Sequence, residues 1–514
     1  MYSVVNTATV YGIDSHLISV EADVSEGMPI FEMVGYLSSE VKEAKERVRA
    51  ALKNAGFALP VKRITINLSP ANIRKTGSGF DLPIAIALLS AIGIIDSSSL
   101  RNTCIFGEIA LNGKIQPIDG VLPMVLEAQR SNMDLCIVPM ANLSEARLVC
   151  GIKSIGVNSM TEVIEFFNEG IIPNADEEQK ALEKNLGENE YDFSMINGQP
   201  MLRRACEVAI SGMHNMLMIG PPGAGKSMIA KCIPSILPPM TQEEQIELSK
   251  IYSVSGKFDE RGGLMSKRPF RSPHHTVSER GLTGGGLNPK PGEISLAHGG
   301  VLFLDELTEF NKATLEILRQ PLEDKRVNIA RANGSFTFPA NFELVAAMNP
   351  CKCGYYPDLN RCHCSARSIQ NYIGKISQPL LDRIDICVEA KTLNYDDVTG
   401  RKENESSETI RKRVVKCHEL QQKRFKDYSF NHNSEIPGNL IDKFCELKEE
   451  ERDFMRSVYE SYSLTARTYH KVLRVARTIA DMDEAENIGL IHLKEAMLYK
   501  SLDKKYWEDG VNGL

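Results

Sequence analysis

Three features are scarce or missing in this chain of 514 residues, and each absence excludes a class of protein. The net charge is -7, so any contact with nucleic acid must come from local lysines and arginines and not from an overall basic surface. The longest apolar run, residues 82–95, is too short to cross a bilayer and contains a proline, which argues against a membrane-spanning helix. The first residues lack a basic segment followed by an apolar one, so we expect no signal peptide and a cytoplasmic location.

The cysteines that are present point to a metal rather than to disulfides. All twelve are expected to be reduced, because nothing in the sequence directs the chain to an oxidising compartment. Four of the cysteines lie in one short segment as two pairs, and four thiolates can complete a tetrahedral Zn²⁺ shell. The two cysteines of each pair are separated by one residue, which is a shorter spacing than the usual two to four residues. We predict a structural zinc site, with His363 as an alternative ligand and a turn with incidental thiols as the alternative interpretation. The four cysteines are Cys351, Cys353, Cys362 and Cys364.

A glycine-rich stretch at residues 220–227 has the spacing G-x-x-x-x-G-K-[ST] of a phosphate-binding loop. The apolar residues before it predict a buried strand, and those after it predict a helix start, whose dipole favours anions. Lys226 is expected to reach the β- and γ-phosphates of a nucleotide, and Ser227 to ligate Mg²⁺. The predicted nucleotide-binding residues are Gly220, Pro221, Pro222, Gly223, Ala224, Gly225, Lys226 and Ser227.

Three further strands predict groups that act on the phosphates. The apolar run 299–304 ends in Asp305 and Glu306, as expected of a buried parallel strand whose carboxyl end carries the chemistry. Asp305 is expected to hold Mg²⁺ and Glu306 to polarise the attacking water. A second strand ends at Asn349, whose neutral amide can orient water beside the γ-phosphate. Arg383, near the start of a third strand, can stabilise transition-state charge at a neighbouring subunit's phosphate.

A helix predicted over residues 464–480 carries three basic side chains on one face, Arg467, Lys471 and Arg474. For Lys471 and Arg474 we expect an ordinary solvated basic face.

The first 170 residues predict an α+β domain. Apolar and polar residues alternate over 18–24 and again over 64–68, which predicts strands, while helical spacing is found over 39–55. Residues 81–94 predict a mostly apolar helix, with a proline tolerated near its first turn.

Two segments of this domain, residues 75–81 and 107–121, resemble the proteolytic domain of the Lon family. The Lon enzymes use a Ser–Lys dyad, in which the amine accepts the proton of the serine. The two dyad positions correspond here to Gly79 and Leu122, so we expect no protease activity and a fold kept for packing or assembly. Two nearby residues of the right chemistry are out of register, Ser78 and Lys114.

The elements after residue 192 resemble, in their order, the AAA+ ATPases, more closely the magnesium-chelatase-like branch, and more closely still the ComM/YifB family. The likeness implies ATP as the nucleotide, Asn349 as the first sensor, Arg383 as the arginine finger and Arg467 as the second sensor. The segments that carry it are 198–199, 214–227, 271–276, 291–306, 346–351 and 469–477.

The resemblance also implies the fold class and the domain plan. The fold class is α/β, an AAA+ P-loop parallel sheet with a helical lid domain, preceded by the α+β Lon-protease-like domain of ribosomal S5 domain 2-like type. The acidic residues before the P-loop module predict a solvated linker, with an acidic docking segment as the alternative. The predicted parts are 1–170 for the Lon-like domain, 171–192 for the linker, 193–395 for the ATPase core and 396–514 for the lid.

Two local basic stretches are candidates for contact with DNA phosphates. Residues 326–338 predict a hairpin with an Asn-Gly turn at 333–334, and Arg331 beside the turn is the preferred contact. In helicases of the related branch, a hairpin just before the first-sensor strand lines the central pore. Residues 253–271 are a candidate for a second pore loop, with Lys267 as a further contact. For each of these side chains, an ordinary surface charge is the alternative.

The family resemblance implies a motor that hydrolyses ATP, forms a homo-oligomer, expected to be a hexamer, and translocates on single-stranded or branched DNA. The task of that family is branch migration of joint molecules, which aids integration of incoming DNA during natural transformation. One alternative is a magnesium-chelatase-type motor subunit. We do not expect a Lon-like domain in such a subunit, so this domain argues against that alternative. Another is an ATP-dependent protein remodeller or protease, which the missing dyad argues against.

Overall fold

The computed structural model describes residues 1–173, 191–258, 263–331, 334–393, 395 and 404–508. Most of the predicted acidic linker, residues 174–190, lies outside the described residues. The helices of the described residues are too short or too polar to cross a bilayer. A mixed sheet precedes a parallel one along the chain, which confirms the predicted fold class.

The N-terminal domain is a mixed sheet packed against helices. Its helices are α1 (Ser39–Asn54), α2 (Asp81–Ala91), α3 (Val121–Arg130), α4 (Leu143–Ala146) and α5 (Met160–Glu169). Its strands are β1 (Tyr2–Tyr11), β2 (Asp14–Ser25), β3 (Phe31–Val34), β4 (Arg63–Ser69), β5 (Thr103–Ile105), β6 (Glu108–Ile109), β7 (Ile115–Gln116), β8 (Leu135–Pro139) and β9 (Lys153–Val157). Within the described residues, the main sheet has the order β3-β4-β2-β1-β5-β8-β9.

Local sequence explains these elements. Apolar side chains of β2 alternate with partly exposed ones, so one face of the strand enters the core. The hydroxyl of Ser38 caps α1 by accepting the N–H of Val41, and Gly56, with a φ of 89°, follows the helix end. Every residue of α2 is buried, because the helix lies between the sheet and α1. The structure ends α2 at Ala91, earlier than the predicted residue 94.

The second domain contains a parallel sheet and a separate hairpin. Its helices are α6 (Pro200–Gly212), α7 (Lys226–Cys232), α8 (Gln242–Ser255), α9 (Glu279–Thr283), α10 (Glu293–Leu296), α11 (Lys312–Ile317), α12 (Arg319–Asp324), α13 (Ala366–Ile373) and α14 (Gln378–Leu381). Its strands are β10 (Met216–Ile219), β11 (Phe270–Arg271), β12 (Gly284–Gly285), β13 (Lys290–Pro291), β14 (Val301–Leu304), β15 (Arg326–Arg331), β16 (Gly334–Pro339), β17 (Glu343–Met348) and β18 (Ile386–Glu389).

The order of the parallel sheet places the predicted site residues together. Within the described residues the order is β11-β14-β17-β10-β18, with parallel pairing throughout. The strands β10, β14 and β17 are buried along their whole length, as strands covered on both faces are. Because these three strands are neighbours and parallel, their carboxyl ends lie side by side. The residues that follow them, Gly220, Asp305 and Asn349, therefore meet at one edge of the sheet.

The C-terminal region is helical and shares a core with the sheet. Met216 and Met218 of β10 pack in the same buried cluster as Val472 and Ile479, while Leu217 and Ile219 face the opposite side of the sheet. The helices of this region are α15 (Ser407–Arg424), α16 (Ile441–Phe444), α17 (Glu449–Ser461), α18 (Ala466–Met482) and α19 (Leu490–Asp503).

The predicted solvated face of α18 is wrong for Lys471 and Arg474. Lys471 is buried and donates a hydrogen bond to the carbonyl of Ile384 at 2.7 Å, with Nζ also 3.6 Å from the Asp385 carboxylate. Arg474 is half-buried and donates to the carbonyl of Ile436. Helical spacing showed that these side chains share a face, but residues 384–385, which precede β18, and Ile436 contact that face.

Replacement of Lys471 by methionine is expected to destabilise the fold by about 3–5 kcal/mol, because it leaves a buried carboxylate without its cation. Burial by itself raises the pKa of Asp385, but Lys471 and His214 outweigh burial and hold this pKa below its usual range. Because the pKa of Asp385 is lower in the folded chain than in the unfolded chain, its ion pair stabilises the fold at pH values above the unfolded-state pKa. The destabilisation caused by Lys471→Met should therefore become smaller below about pH 4. Urea denaturation measures both effects.

The control for Lys471→Met is Lys412→Met. Lys412 lies on the exposed face of α15, where its side chain is 74% exposed and pairs with Glu408. This control should change stability by less than about 0.5 kcal/mol. Equal effects of the two substitutions would contradict the buried ion pair.

The N-terminal domain contacts the parallel-sheet domain through two kinds of interaction. The ring of Tyr11, at the end of β1, packs on Phe336 of β16 with 4.6 Å between ring centroids. Lys290 forms an ion pair with Asp119 at 2.6 Å. The N-terminal domain therefore touches the hairpin of β15 and β16, which carries Arg331.

Candidate nucleotide site

Backbone conformation shapes the loop between β10 and α7. A Cβ at Gly220 would lie 2.4 Å from the carbonyl oxygen of Ala390, so only glycine fits there. Gly223 and Gly225 have φ values of +78° and +84°, in the left-handed region that favours glycine. The helix α7 begins at Lys226, directly after the loop, so its free N–H groups face the loop. The predicted phosphate cradle is thus present as a curled loop on a helix start.

The Lys226 ammonium is folded into this loop. It donates to the carbonyls of Gly220 at 2.7 Å and Pro221 at 2.9 Å, and to Oδ1 of Asn349 at 3.2 Å. Burial lowers the pKa of Lys226 to about 8, against the opposing effect of Asp305 and Glu306. A polyphosphate entering the loop would supply negative charge that raises the pKa of Lys226 again.

The carboxylates after β14 complete the same cavity. Oδ2 of Asp305 accepts a hydrogen bond from the Ser227 hydroxyl at 2.6 Å, so a hydroxyl and a carboxylate oxygen stand side by side. Both are oxygen ligands of the kind that Mg²⁺ prefers, and this pair fits the metal. Glu306 is 57% exposed at the cavity mouth, and Nδ1 of His275 lies 3.6 Å from its Oε2. Glu306 has a φ of 51°, which turns the chain sharply after the strand.

One cavity of about 370 Å³ gathers most of the predicted site. Its lining residues are Pro222, Gly223, Ala224, Gly225, Lys226, Ser227, Met228, Asp305, Glu306, Met348 and Asn349. Sequence reasoning did not find His275 beside Glu306. Its neighbours in the sequence, residues 271–276, contribute to the family likeness, but no spacing rule connects them to Glu306.

Arg383 and Arg467 lie in a different cavity, of about 680 Å³. Arg383 precedes β18, so it lies at the amino edge of the parallel sheet, opposite the phosphate loop. Its guanidinium donates to the carbonyl of Arg319 at 3.0 Å and to the Glu323 carboxylate. Arg467 is 3.9 Å from the same carboxylate. The structure therefore brings the predicted finger and second sensor together, away from the chain's own phosphate loop.

The cysteine cluster has the geometry of a zinc site. The four Sγ atoms lie within 4.8 Å of one another, with 3.3 Å between Cys351 and Cys353 and 3.7 Å between Cys351 and Cys362. Thiolates at 2.3 Å from Zn²⁺ in a tetrahedron stand about 3.8 Å apart, so the four sulfurs fit this metal. His363 is exposed and does not belong to the cluster.

The candidate DNA contacts are on the surface. β15 and β16 pair antiparallel, which confirms the predicted hairpin, and Arg331 is exposed at its end. Residue 333 of the predicted turn lies outside the described residues. Lys267 is exposed. Three other cations of the 253–271 stretch pair with carboxylates, Arg268 with Glu244, and Lys257 and Arg271 with Glu293.

The two positions that correspond to the Ser–Lys dyad of the Lon enzymes, Gly79 and Leu122, carry no catalytic side chains. Leu122 is buried in the core, and a Cβ at Gly79 would lie 3.2 Å from Ile118. The Ser78 hydroxyl donates to the Glu108 carboxylate, and not to an amine. The absence of protease activity stays a prediction.

Three family models match this chain. One described as "Magnesium chelatase, subunit ChlI" matches residues 192–398, "Subunit ChlI of Mg-chelatase" matches 20–142, and "Magnesium chelatase, subunit ChlI C-terminal" matches 404–500. The second match overturns one expectation. Because a model described as a chelatase subunit covers the Lon-like domain, that domain does not argue against a chelatase subunit.

Two relatives match over almost the whole length of both chains, and a third matches over the N-terminal part. The chain is 40% identical over 496 residues to competence protein ComM of Haemophilus influenzae, covering 96% of each chain. It is 38% identical over 507 residues to the uncharacterized protein YifB of Escherichia coli, covering 98% of this chain and 97% of the other. It is also 31% identical over 143 residues to Lon protease 2 of Bacillus subtilis, 26% of each chain, which supports the Lon-like domain.

Proposed function

The chain belongs to the ComM/YifB family of magnesium-chelatase-like AAA+ proteins, and on this basis we propose that it is an ATP-hydrolysing, ring-forming DNA motor. The convergence of the phosphate loop, two carboxylates and an amide on one cavity carries this proposal. The groups that converge are Lys226, Ser227, Asp305, Glu306 and Asn349.

We propose a task in hydrolysis for each group. Lys226 exchanges its loop carbonyls for β- and γ-phosphate oxygens, which are stronger acceptors for an ammonium. Ser227 and Asp305 would hold Mg²⁺, which neutralises charge on the phosphates. Glu306, at the cavity mouth, accepts the proton of the attacking water. Asn349 orients that water without adding negative charge.

The second cavity supports assembly into a ring. Arg383 and Arg467 lie at the edge of the sheet opposite the phosphate loop, and this supports the proposal that they meet a neighbour's nucleotide and not the chain's own. A guanidinium supplied by a neighbour stabilises the charge of the transition state. A homohexamer is the assembly that the family resemblance implies.

We infer DNA as the substrate of the motor from the name of the Haemophilus relative, which refers to competence. Branch migration of joint DNA during natural transformation is the task that we propose. We propose that Arg331, which is exposed on the hairpin of β15 and β16, contacts the phosphates of single-stranded or branched DNA. Lys267 is a further candidate contact.

Replacement of Arg331 by alanine should weaken DNA binding about equally across sequences and lower the salt slope of binding by about 1, since it removes one phosphate contact. Fluorescence anisotropy with forked DNA at several salt concentrations measures both. Arg456→Ala is a matched control, because the side chain of Arg456 is 74% exposed on α17, away from the hairpin. An unchanged slope for Arg331→Ala would remove this residue from the interface.

A chelatase-type motor subunit is the second candidate, because its family description matches the ATPase core. DNA-stimulated ATP hydrolysis by the purified protein separates the two. A DNA motor should hydrolyse ATP faster with forked DNA and lose this stimulation in high salt. Turnover that does not respond to DNA, together with no binding to DNA, would overturn the DNA assignment.

We also propose a structural Zn²⁺ in the cysteine cluster. Four protein sulfurs fill a tetrahedral shell, which leaves no open position for catalysis. The ion would crosslink a segment with little regular structure between β17 and α13.

A further inference from the structure

The cysteine cluster follows directly from a residue of the nucleotide cavity. β17 ends at Met348, and Asn349 then accepts the hydrogen bond from Lys226. One proline separates Asn349 from Cys351, which is completely buried. Because proline fixes φ, a short and stiff piece of chain joins the amide to the first sulfur. A displacement of Cys351 would therefore displace Asn349.

A second contact reaches the phosphate loop through space. The turn after Cys351 closes with a hydrogen bond from the N–H of Gly354 to the Cys351 carbonyl at 3.0 Å. Gly354 has a φ of +87°, and a Cβ there would lie 2.5 Å from Cδ of Pro222. The backbone of this turn thus lies against a proline of the phosphate loop, at a distance that only glycine permits.

These contacts connect the sulfurs to both sides of the cavity, to Asn349 on one side and to Pro222 on the other. Sulfhydryl contacts alone are weak, so an ion bound by the four sulfurs would add stability to the segment between β17 and α13. We propose that Zn²⁺ bound by the four cysteines positions Asn349 and the phosphate loop, so that metal and nucleotide stabilise each other's binding. This inference rests on the proposed ATP-binding function.

Nucleotide titration of metal-loaded and metal-stripped protein tests the proposal. The full chain is purified, its zinc is quantified by mass spectrometry, and half is stripped with a chelator and dialysed. A fluorescent ADP analogue should bind the loaded form at least about 5-fold more tightly than the stripped form. By reciprocity, saturating ADP should raise the affinity for Zn²⁺, measured by competition with a chromophoric chelator, by the same factor.

The outcomes separate this inference from the proposed function. Equal nucleotide affinity of the loaded and stripped forms would overturn the inference alone. Protein that is purified without zinc and cannot take it up would overturn both the inference and the proposed zinc site, and would leave the proposed ATPase standing. Loaded protein that binds no nucleotide would overturn the proposed ATPase. Circular dichroism of the stripped form shows whether the loss is local or a global unfolding, and global unfolding would count against a role confined to the nucleotide cavity.

Gly354→Ala provides a test that keeps the metal in place. The added methyl group meets Pro222, so this variant should bind one Zn²⁺ and bind the ADP analogue at least about 5-fold more weakly. Gly56→Ala is the matched control, because Gly56 has a φ of +89° and no atom within 4 Å of the added Cβ. It carries a comparable backbone strain and should retain wild-type nucleotide affinity. Wild-type affinity in zinc-loaded Gly354→Ala would contradict the contact with the phosphate loop.

Discussion

Replacement of Glu306 by glutamine is expected to lower the rate of ATP hydrolysis by about 10²–10⁴-fold while nucleotide binding persists. Glutamine has the same size as glutamate but cannot accept the proton of the attacking water at neutral pH. Glu306 lies at the mouth of the cavity and is not among the residues proposed to bind the phosphates, Lys226 and Ser227, so affinity should be retained. Phosphate release measures turnover, and a fluorescent ATP analogue measures binding.

A nearby carboxylate gives the matched control. Glu309 follows Glu306 by one turn and is 45% exposed, near Lys375, but it does not line the nucleotide cavity. Glu309→Gln should hydrolyse ATP at the wild-type rate. A Glu306→Gln protein that keeps more than about a tenth of wild-type turnover would show that Glu306 is not the base.

Replacement of Arg383 by alanine should reduce ATP hydrolysis by about 10³-fold or more in the assembled protein, if this guanidinium serves a neighbour's nucleotide. The decisive experiment mixes two inactive proteins, Arg383→Ala and Glu306→Gln. In a mixed ring, an Arg383→Ala subunit keeps its own carboxylate and receives Arg383 from a Glu306→Gln neighbour. Random mixing in equal amounts should restore about a quarter of the sites.

Mixing also controls for damage to the fold. Arg383 contacts Glu323 and the backbone of α12, so its loss could disturb the subunit as well as the chemistry. A disturbed subunit would not regain activity beside a Glu306→Gln partner. Absence of recovery, with mixed rings verified by native mass spectrometry, would mean that Arg383 does not act between subunits. The same mixture with Arg467→Ala tests the second arginine.

Sequence reasoning located the nucleotide cavity because its parts are short and local. The loop spacing fixes a backbone shape, and the apolar runs before Asp305 and Asn349 end where their strands end. Parallel neighbouring strands then bring these ends together without further information from the side chains. The sulfur cluster was predictable for the same reason, since four ligands in one segment limit the folds available to it.

Contacts between distant segments were beyond the reach of the sequence. Helical spacing grouped Lys471 with Arg467 and Arg474 on one face of α18, but only the folded structure shows that Asp385 lies next to Lys471. Glu323 joins Arg383 and Arg467 although α12 is far from both in the chain. His275 beside Glu306 and Gly354 against Pro222 are of the same kind. Each depends on how elements dock, which periodicity does not encode.

The placement of the two cavities at opposite edges of one sheet restricts the symmetry of any assembly that uses both. A twofold dimer joins the amino edge of one sheet to the carboxyl edge of the other only if a single interface patch contains both edges. A head-to-tail contact repeats that junction at every subunit without this requirement. Such a heterologous contact closes when the rotation between neighbours divides a full turn, and otherwise continues as a helical filament. The angle between adjacent subunits therefore determines how many nucleotide sites a complete assembly contains.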